Sequence, residues 1–394
     1  MNLRSDFPLF QAQPDLVYLD SASSCQVPEV VVTAMADYLR YHHANVHRGN
    51  YQLSQAATAM YEAARERVAV FFNSSAAQVV FTKGTTDSLN LLAAGLAERV
   101  QAGDNVVVSL AEHHANFLPW QQLCAAKGAE LRVIPLATDG TFANLPIDQR
   151  TRVVAVTHAS NVLGVVNELT DITAAAQAVG AYVVVDAAQT AAHLTLEPTA
   201  LGIDALAFSG HKVYGPTGIG ALWLSPRAVA ELPLYQVGGG IVRTVSATHS
   251  DYVQGVQRFE PGTPNLVGIA GLVAALDFLA AARAQGSHAY LRDLTQQLLS
   301  MLKDFPQLRL LPHGDGTIPV VSVTSDDPDV HRNDLAMLLD QQQIAARSGH
   351  HCAQPLVQHY TTQGCLRFSL GVYNQATDIQ RLQQGLSKAF ALLG

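Results

Sequence analysis

Ser209-Gly210-His211-Lys212 follows a short apolar run that reads as a strand, and Tyr214-Gly215-Pro216-Thr217-Gly218-Ile219-Gly220 comes directly after it. A lysine at a strand end among glycines is placed to form a Schiff base, because glycine lets the backbone come close to a flat molecule. Taken alone, the segment reads as well as a surface turn carrying an ordinary lysine. Upstream, Val183-Val184-Val185-Asp186-Ala187-Ala188-Gln189 ends an apolar strand on a carboxylate, at the carboxyl end where open α/β sheets put their ligands. An aspartate there can pair with a protonated pyridine nitrogen, and lysine plus aspartate is the combination with which pyridoxal-phosphate sites make the ring an electron sink. Beside Lys212, that reading outweighs a simple helix cap at Asp186.

A phosphate needs its own cradle. Lys83-Gly84-Thr85-Thr86-Asp87-Ser88 lies where the apolar run Val79–Thr82 gives way to a helical pattern, and backbone N–H groups and threonine hydroxyls at a helix start form an anion site. The spacing is neither that of a P-loop nor GxGxxG, and a plain helix cap fits it as well. Near the end, Arg347-Ser348-Gly349-His350-His351-Cys352-Ala353-Gln354-Pro355 reads as a loop holding an accessible thiol among histidines, surroundings that enrich a nucleophilic thiolate. A buried structural cysteine is one rival. A His/His/Cys metal cluster is a weaker one, since adjacent histidines face different ways and no second Cys/His pair has ligand spacing. Arg367, on a strand after Cys365, has the fork geometry to hold a substrate carboxylate, or else faces solvent.

The elements around these residues follow from composition and pattern. At 394 residues and 48% apolar content, the chain outgrows the about 250–300 residues of a single core, so two lobes are expected. Asn105–Leu110, Leu131–Pro135, Arg152–Thr157, Tyr182–Asp186, Ala205–Ser209 and Ile219–Leu224 read as strands buried on both faces. Helical patterns such as Phe117–Lys127 and Asp171–Val179 separate most of them, the sign of crossovers in a mostly parallel sheet. After Pro264 the texture changes to a long alanine-rich helix over Leu266–Ala284, a helix near Leu291–Leu302, a strand at Ile318–Thr324, and helices at Asp329–Gln342 and Asp378–Leu393. The expected division is a large α/β lobe over 15–262 and a small α+β lobe over 263–394, with 1–14 packing on the small lobe.

Charge and cysteine usage exclude other classes. With 24 basic against 32 acidic residues the net charge is −8, which argues against a nucleic-acid partner. No apolar run is read as approaching the roughly 20 residues that span a bilayer, and Met1 to Phe10 lacks a basic stretch before an apolar segment. The chain therefore reads as soluble and cytoplasmic, with no membrane partner. Its four cysteines, Cys25, Cys124, Cys352 and Cys365, include no CxxC pair, so neither a disulfide framework nor a structural zinc site is expected.

Taken together these segments resemble the class V, fold-type I pyridoxal-phosphate enzymes, and within them the group II cysteine desulfurases of the SUF and CSD type. The resemblance runs through Tyr18-Leu19-Asp20-Ser21-Ala22, Asn45-Val46-His47-Arg48-Gly49, Glu112-His113-His114-Ala115-Asn116, Ser160-Asn161-Val162-Leu163-Gly164, Ser209-Gly210-His211-Lys212, Phe259-Glu260-Pro261-Gly262-Thr263-Pro264-Asn265 and the Arg-x-Gly-His-His-Cys-Ala loop. It implies an α/β fold with a mostly parallel seven-stranded sheet flanked by helices, and pyridoxal 5'-phosphate as cofactor. Lys212 would carry the cofactor as a Schiff base, Asp186 would hold the ring nitrogen, Gln189 the ring hydroxyl, and His113 would stack on the ring. Thr85, Thr86, Ser209 and His211 would hold the phosphate, with Thr263 reaching in from a second subunit, so a homodimer is implied. Asn161 and Arg367 would grip the substrate carboxylate, while Arg347, His47 and Arg48 line the approach. Cys352 matches the family's sulfur-accepting cysteine: it would take sulfur from L-cysteine as a persulfide, leave L-alanine, and pass the sulfur to an acceptor protein for iron–sulfur cluster assembly or related transfer.

Selenocysteine lyase or cysteine-sulfinate desulfinase activity is the near alternative, and a class V aminotransferase, which would have no use for Cys352, the further one. A non-catalytic scaffold would not need Lys212, Asp186, His113 and Cys352 together. A metallohydrolase would lack the visible colour of bound pyridoxal phosphate. The chain departs from the family pattern at Ser21-Ala22-Ser23-Ser24-Cys25, where a further alanine is usual, and at Val165-Val166, where polar residues are commoner.

Overall fold

The computed structural model describes residues 3–314, 317–327 and 330–393. Its centre is a seven-stranded sheet built from β1 (Val79–Thr82), β2 (Asn105–Ser109), β3 (Glu130–Ile134), β4 (Thr151–Thr157), β5 (Tyr182–Asp186), β6 (Ala205–Ser209) and β7 (Gly220–Leu224), in the order β1-β7-β6-β5-β4-β2-β3. Only β7 runs against its neighbours; the other pairings are parallel. The two-residue period of a strand decides where each valine goes. Val107, Val154, Val156, Val183 and Val185 join one apolar cluster, and Val106, Val108, Val153 and Val184 join another on the opposite face. Helices therefore cover both sides. The first cluster is closed by α1 (Gln52–Phe71) and the second by α2 (Thr85–Gly95) and α3 (His114–Lys127).

Past the sheet, α4 (Leu266–Ala284) leads to a second, antiparallel sheet of β8 (Arg309–Leu310), β9 (Val320–Thr324), β10 (Arg347–Gly349) and β11 (Cys365–Ser369), in the order β8-β9-β11-β10. The start of the chain is tied to this part: Val17–Tyr18 pairs with Ile344–Ala345, Asp20 bridges Ser369, and the Phe7 ring packs 4.9 Å from Tyr373.

Four points differ from the expectations. Leu131–Pro135 was read as buried on both faces, but β3 is the edge strand, and Val133 keeps 38% of its surface exposed. The chain does contain an apolar segment of membrane-crossing length and composition, the helix α4; half of it is buried inside the protein against Glu29–Asp37 and α1, as in a core helix. The twenty-residue α1 was not foreseen. Its buried stripe of Ala57, Tyr61, Ala64, Arg65 and Val68 has helical spacing, but small residues and a buried arginine mask its apolar signal. The helix expected from Asp329 runs over Arg332–Asp340, and Asp329 itself lies outside the described residues.

Candidate active site

The carboxyl ends of β4, β5 and β6 lie side by side, with Thr157 paired to Asp186 and Asp186 to Ala207. A cleft opens there, with about 560 Å³ of empty space including the part open to solvent, inside the range of small-molecule sites. Ala22, Ser23, Thr85, Thr86, His113 and Asn161 line it together with Asp186, Ser209, His211, Lys212, Arg347, His351 and Arg367.

One end is built for an anion. Gly220 lies between Thr82 and Ser209 on neighbouring strands, and a side chain there would meet Phe208 O at 2.5 Å and Gly84 Cα at 2.7 Å. The bare glycine lets the Gly84 turn settle onto the sheet. Gly84 itself has φ +144°, a region closed to side chains, and opens α2. Thr85 N–H then donates to Ser209 Oγ at 2.9 Å, with the Thr85 hydroxyl also 2.9 Å from Ser209 Oγ. The first N–H groups of a helix, two threonines and a serine thus converge on one corner.

At the floor, Asp186 is 4% exposed and accepts from Ala188 N–H at 2.8 Å, so the capping bond is present. It forms no ion pair among the described residues, and burial raises its carboxyl above the usual range while the Lys212 charge opposes this. Burial in turn holds the Lys212 ammonium below its ordinary value, again opposed by Asp186. Lys212 sits on the short turn Gly210–Lys212 after β6, facing the cleft rather than solvent alone. His113 caps α3: its Nδ1 accepts from Ala115 N–H at 3.0 Å, which leaves the ring proton on Nε2. Burial and then the Lys212 charge push this imidazole down to about 3, and the same two causes put His211 at about 4. Gln189 is buried and donates its amide to Ala22 O at 2.9 Å.

The same cleft is lined by two arginines, Arg347 and Arg367. Arg367 is 1% exposed, which removes the solvent-facing reading. It donates to Asn161 O at 2.9 Å and to Asp20 Oδ1 at 2.8 Å, while its buried Nε and the Asn161 Oδ1 have no hydrogen-bond partner. Cys352 is exposed and lines an adjoining pocket with His113 and His114, so the buried-cysteine reading also falls. Its loop is held in place: Cys352 O accepts from His114 N–H at 2.6 Å, Asn161 Nδ2 donates to His351 O at 2.8 Å, and Arg347 Nη2 lies 4.0 Å from Cys352 Sγ. His351 and Cys352 both have positive φ, +51° and +55°, so the tethers hold a backbone shape that side chains disfavour.

His351 turns its ring away from the thiol, with Nε2 3.2 Å from Cys365 O. Burial, then the Arg367 and Arg347 charges, push it down to about 3. A histidine depressed in the folded state contributes stability that is present above its unfolded value near 6.5 and is lost as pH falls toward 3. Thermal stability is expected to fall between pH 6.5 and 4.5, and His351→Gln to flatten that fall by roughly 1.4 kcal/mol per pH unit, one proton's share. Parallel curves for the two proteins would show that His351 is not held neutral.

Glu112, to which the motif Glu112-His113-His114-Ala115-Asn116 assigns no role, locks the site together. It is buried and accepts from Thr157 N–H at 2.8 Å, from the Ser109 hydroxyl, and from Asn116 Nδ2 at 2.7 Å. The Trp120 indole donates to Asn116 Oδ1 at 3.0 Å and so fixes which end of that amide faces Glu112. Burial pushes the carboxyl up to about 8, while these three donors all favour the ionised form. Glu112→Gln would set an NH₂ against a donor, and is expected to cost about 1–3 kcal/mol by chemical denaturation despite its equal size. An unchanged midpoint would mean that the native carboxyl is protonated.

His47, Arg48 and Thr263 do not reach the Lys212 cleft of their own chain. They gather in a separate cleft with Tyr61 and Glu260. Ser23, Asp20 and His351, which the sequence reading gave no part in the site, do belong to it. Asp20 belongs to the Tyr18-Leu19-Asp20-Ser21-Ala22 motif, whereas Ser23 lies in the stretch Ser21-Ala22-Ser23-Ser24-Cys25 that departs from the family pattern. Among the described residues no group of three or more His, Cys, Asp or Glu side chains is arranged to hold a metal ion.

The profile of the family described as Aminotransferase class-V matches residues 17–382. A cysteine desulfurase of Pectobacterium carotovorum subsp. carotovorum is 42% identical over 402 aligned positions, covering 100% of this chain and 98% of the relative. Among solved structures, the apo cysteine desulfurase of Thermococcus onnurineus NA1 gives a TM-score of 0.92 at 34% identity, over 99% of this chain and 98% of its own. The Escherichia coli cysteine desulfurase CsdA, in an S-sulfonic acid form, gives 0.90 at 35% identity, over 100% and 98%.

Proposed function

The chain belongs to the aminotransferase class-V family, and from that premise we propose that it is a pyridoxal-phosphate-dependent cysteine desulfurase, which moves sulfur from L-cysteine to Cys352 and releases L-alanine. The observation that carries this reading is a cleft with a buried, ion-unpaired carboxylate, Asp186, which meets at Thr86, His113 and Ala115 a neighbouring pocket lined by the exposed thiol Cys352. An unpaired buried carboxylate is costly, and a protonated pyridine nitrogen is the partner it fits. The residues present suit the whole cofactor: Thr85, Thr86, Ser209 and His211 for the phosphate, Asp186 for the ring nitrogen, Gln189 for the ring hydroxyl, His113 for the ring face and Lys212 for the aldehyde carbon. When bound, pyridoxal phosphate supplies an electron sink in conjugation with the substrate Cα.

The chain's own groups do the rest. The free Nε–H of Arg367 and the second N–H of Asn161 Nδ2 hold the substrate carboxylate, a charge-assisted pairing that gives the buried Arg367 Nε its partner. Lys212, whose ammonium is weakened by burial, takes the Cα proton on Nζ at neutral pH. Cys352 Sγ, as thiolate, attacks the sulfur of L-cysteine: the S–S bond forms, the Cβ–S bond breaks, and its electron pair stays on the carbon skeleton. Protons return to that skeleton to give L-alanine, and Cys352 is left as a persulfide. Neutral His113 sits between Cys352 and Lys212 as a donor through Nε2.

The cluster of His47, Arg48 and Thr263 away from Lys212 supports a homodimer in which these residues complete the partner's cleft. An exposed persulfide at Cys352 suits a protein sulfur acceptor in the cytoplasm, for iron–sulfur cluster assembly or related transfer. The test is product analysis on the yellow wild-type protein with L-cysteine and a reductant. Equal amounts of L-alanine and sulfide are expected; a keto acid without sulfide would mean an aminotransferase instead.

A further inference from the structure

One hydroxyl in the cleft is shared by three charged groups. Ser23 Oγ accepts from Arg347 Nη1 at 2.6 Å and from Arg367 Nη2 at 2.7 Å, and donates to Asp20 Oδ1 at 2.7 Å. Two accepted bonds and one donated bond use the full capacity of a serine hydroxyl. Two guanidiniums therefore meet at one point, balanced by a single carboxylate, and this part of the cleft that Lys212 also lines keeps an excess positive charge. The two arginines do not depend on Ser23 equally. Arg367 has Asp20 and Asn161 O as further partners, whereas among the described residues the other side-chain hydrogen bond of Arg347 is the long one to Cys352 Sγ.

We propose that Ser23 is a positioning residue that pins Arg347 beside Arg367 and so fits the cleft to substrates bearing a free α-carboxylate. Ser23 acts through the arginines. Its hydroxyl is saturated and has nothing left to offer a substrate, but it fixes two cationic forks before the substrate arrives, which removes their ordering cost from binding. This inference rests on the reading of the cleft as an amino-acid site.

The experiment compares wild-type, Ser23→Ala and Ser23→Thr holoenzymes on L-cysteine and on L-cysteine amide, which lacks the carboxylate. Ser23→Ala is expected to raise KM for L-cysteine roughly tenfold, the size of one charge-assisted hydrogen bond, with kcat little changed and the amide unaffected. The preference for the carboxylate then collapses, and Ser23→Thr, which keeps the hydroxyl, restores it. A Ser23→Ala protein that keeps its preference, or that loses activity on both substrates alike, would overturn the proposal. Absorbance titration of the same proteins with L-alanine and L-alanine amide reads the preference without turnover. If the wild type is inactive on L-cysteine, the functional reading fails and the titration alone decides Ser23: equal loss of L-alanine and amide binding rejects it, selective loss of L-alanine binding supports it.

Discussion

Lys212→Ala is expected to abolish sulfide release from L-cysteine, lowering the rate by at least about 10³-fold, within the range that a positioned acid–base group supplies. The protein should still fold. The Lys212 side chain makes no hydrogen bond among the described residues, so truncation removes a charge from the cleft and little packing. Two further changes are expected with it. The visible absorbance of the holoenzyme shifts, because the amine that would carry the cofactor is gone, and His113 becomes easier to protonate, since the Lys212 charge is the second cause of its depression after burial. Absorbance spectra and thermal melts check both. Activity that survives in Lys212→Ala at close to the wild-type rate would show that another base serves this cleft.

Cys352→Ala should fail at a different step. With the thiol absent, L-cysteine still meets Arg367, Asn161 and Lys212, so addition of L-cysteine should still change the cofactor absorbance at similar concentrations. Release of L-alanine and sulfide should fall by at least about 10²–10³-fold, the usual cost of losing a group that reacts only in the chemical step. Because Cys352 is exposed and its loop is held mainly through backbone, by His114 N–H on Cys352 O and Asn161 Nδ2 on His351 O, with only the long Arg347 contact to Sγ lost, the melting temperature should move little. Stopped-flow absorbance beside product assays separates this outcome from a folding defect. A Cys352→Ala enzyme as fast as the wild type would remove the thiol from the mechanism.

How much of this was legible in the sequence depends on the range over which each feature is set. The strands were legible because valine runs such as Val183–Val185 are buried on both faces and need no partner to be recognised. Lys212 and Asp186 were legible for the same reason, since each stands at the end of such a strand. The exposure of β3 was not, because an edge position is decided by sheet order rather than by its own residues. The role of Ser23 was hidden further still: a serine in a turn is chemically plain until Arg347 and Arg367, 324 and 344 residues away, fold onto it. His351 shows the opposite case, a histidine whose neighbour in sequence is the thiol but whose ring turns to Cys365 O. The motifs carrying His47, Arg48 and Thr263 were recognised, yet their place away from Lys212 follows from the tertiary fold.

The central claim is that sulfur passes through Cys352. Its most direct measurement is to mix the wild-type holoenzyme with L-cysteine in the absence of reductant, block thiols and persulfides by alkylation, and locate added sulfur by peptide mass spectrometry. One extra sulfur atom on the peptide carrying Cys352, with L-alanine formed in equal amount and no added sulfur on Cys25, Cys124 or Cys365, is the predicted result. L-alanine and sulfide formed at full rate with Cys352 unmodified would contradict the account.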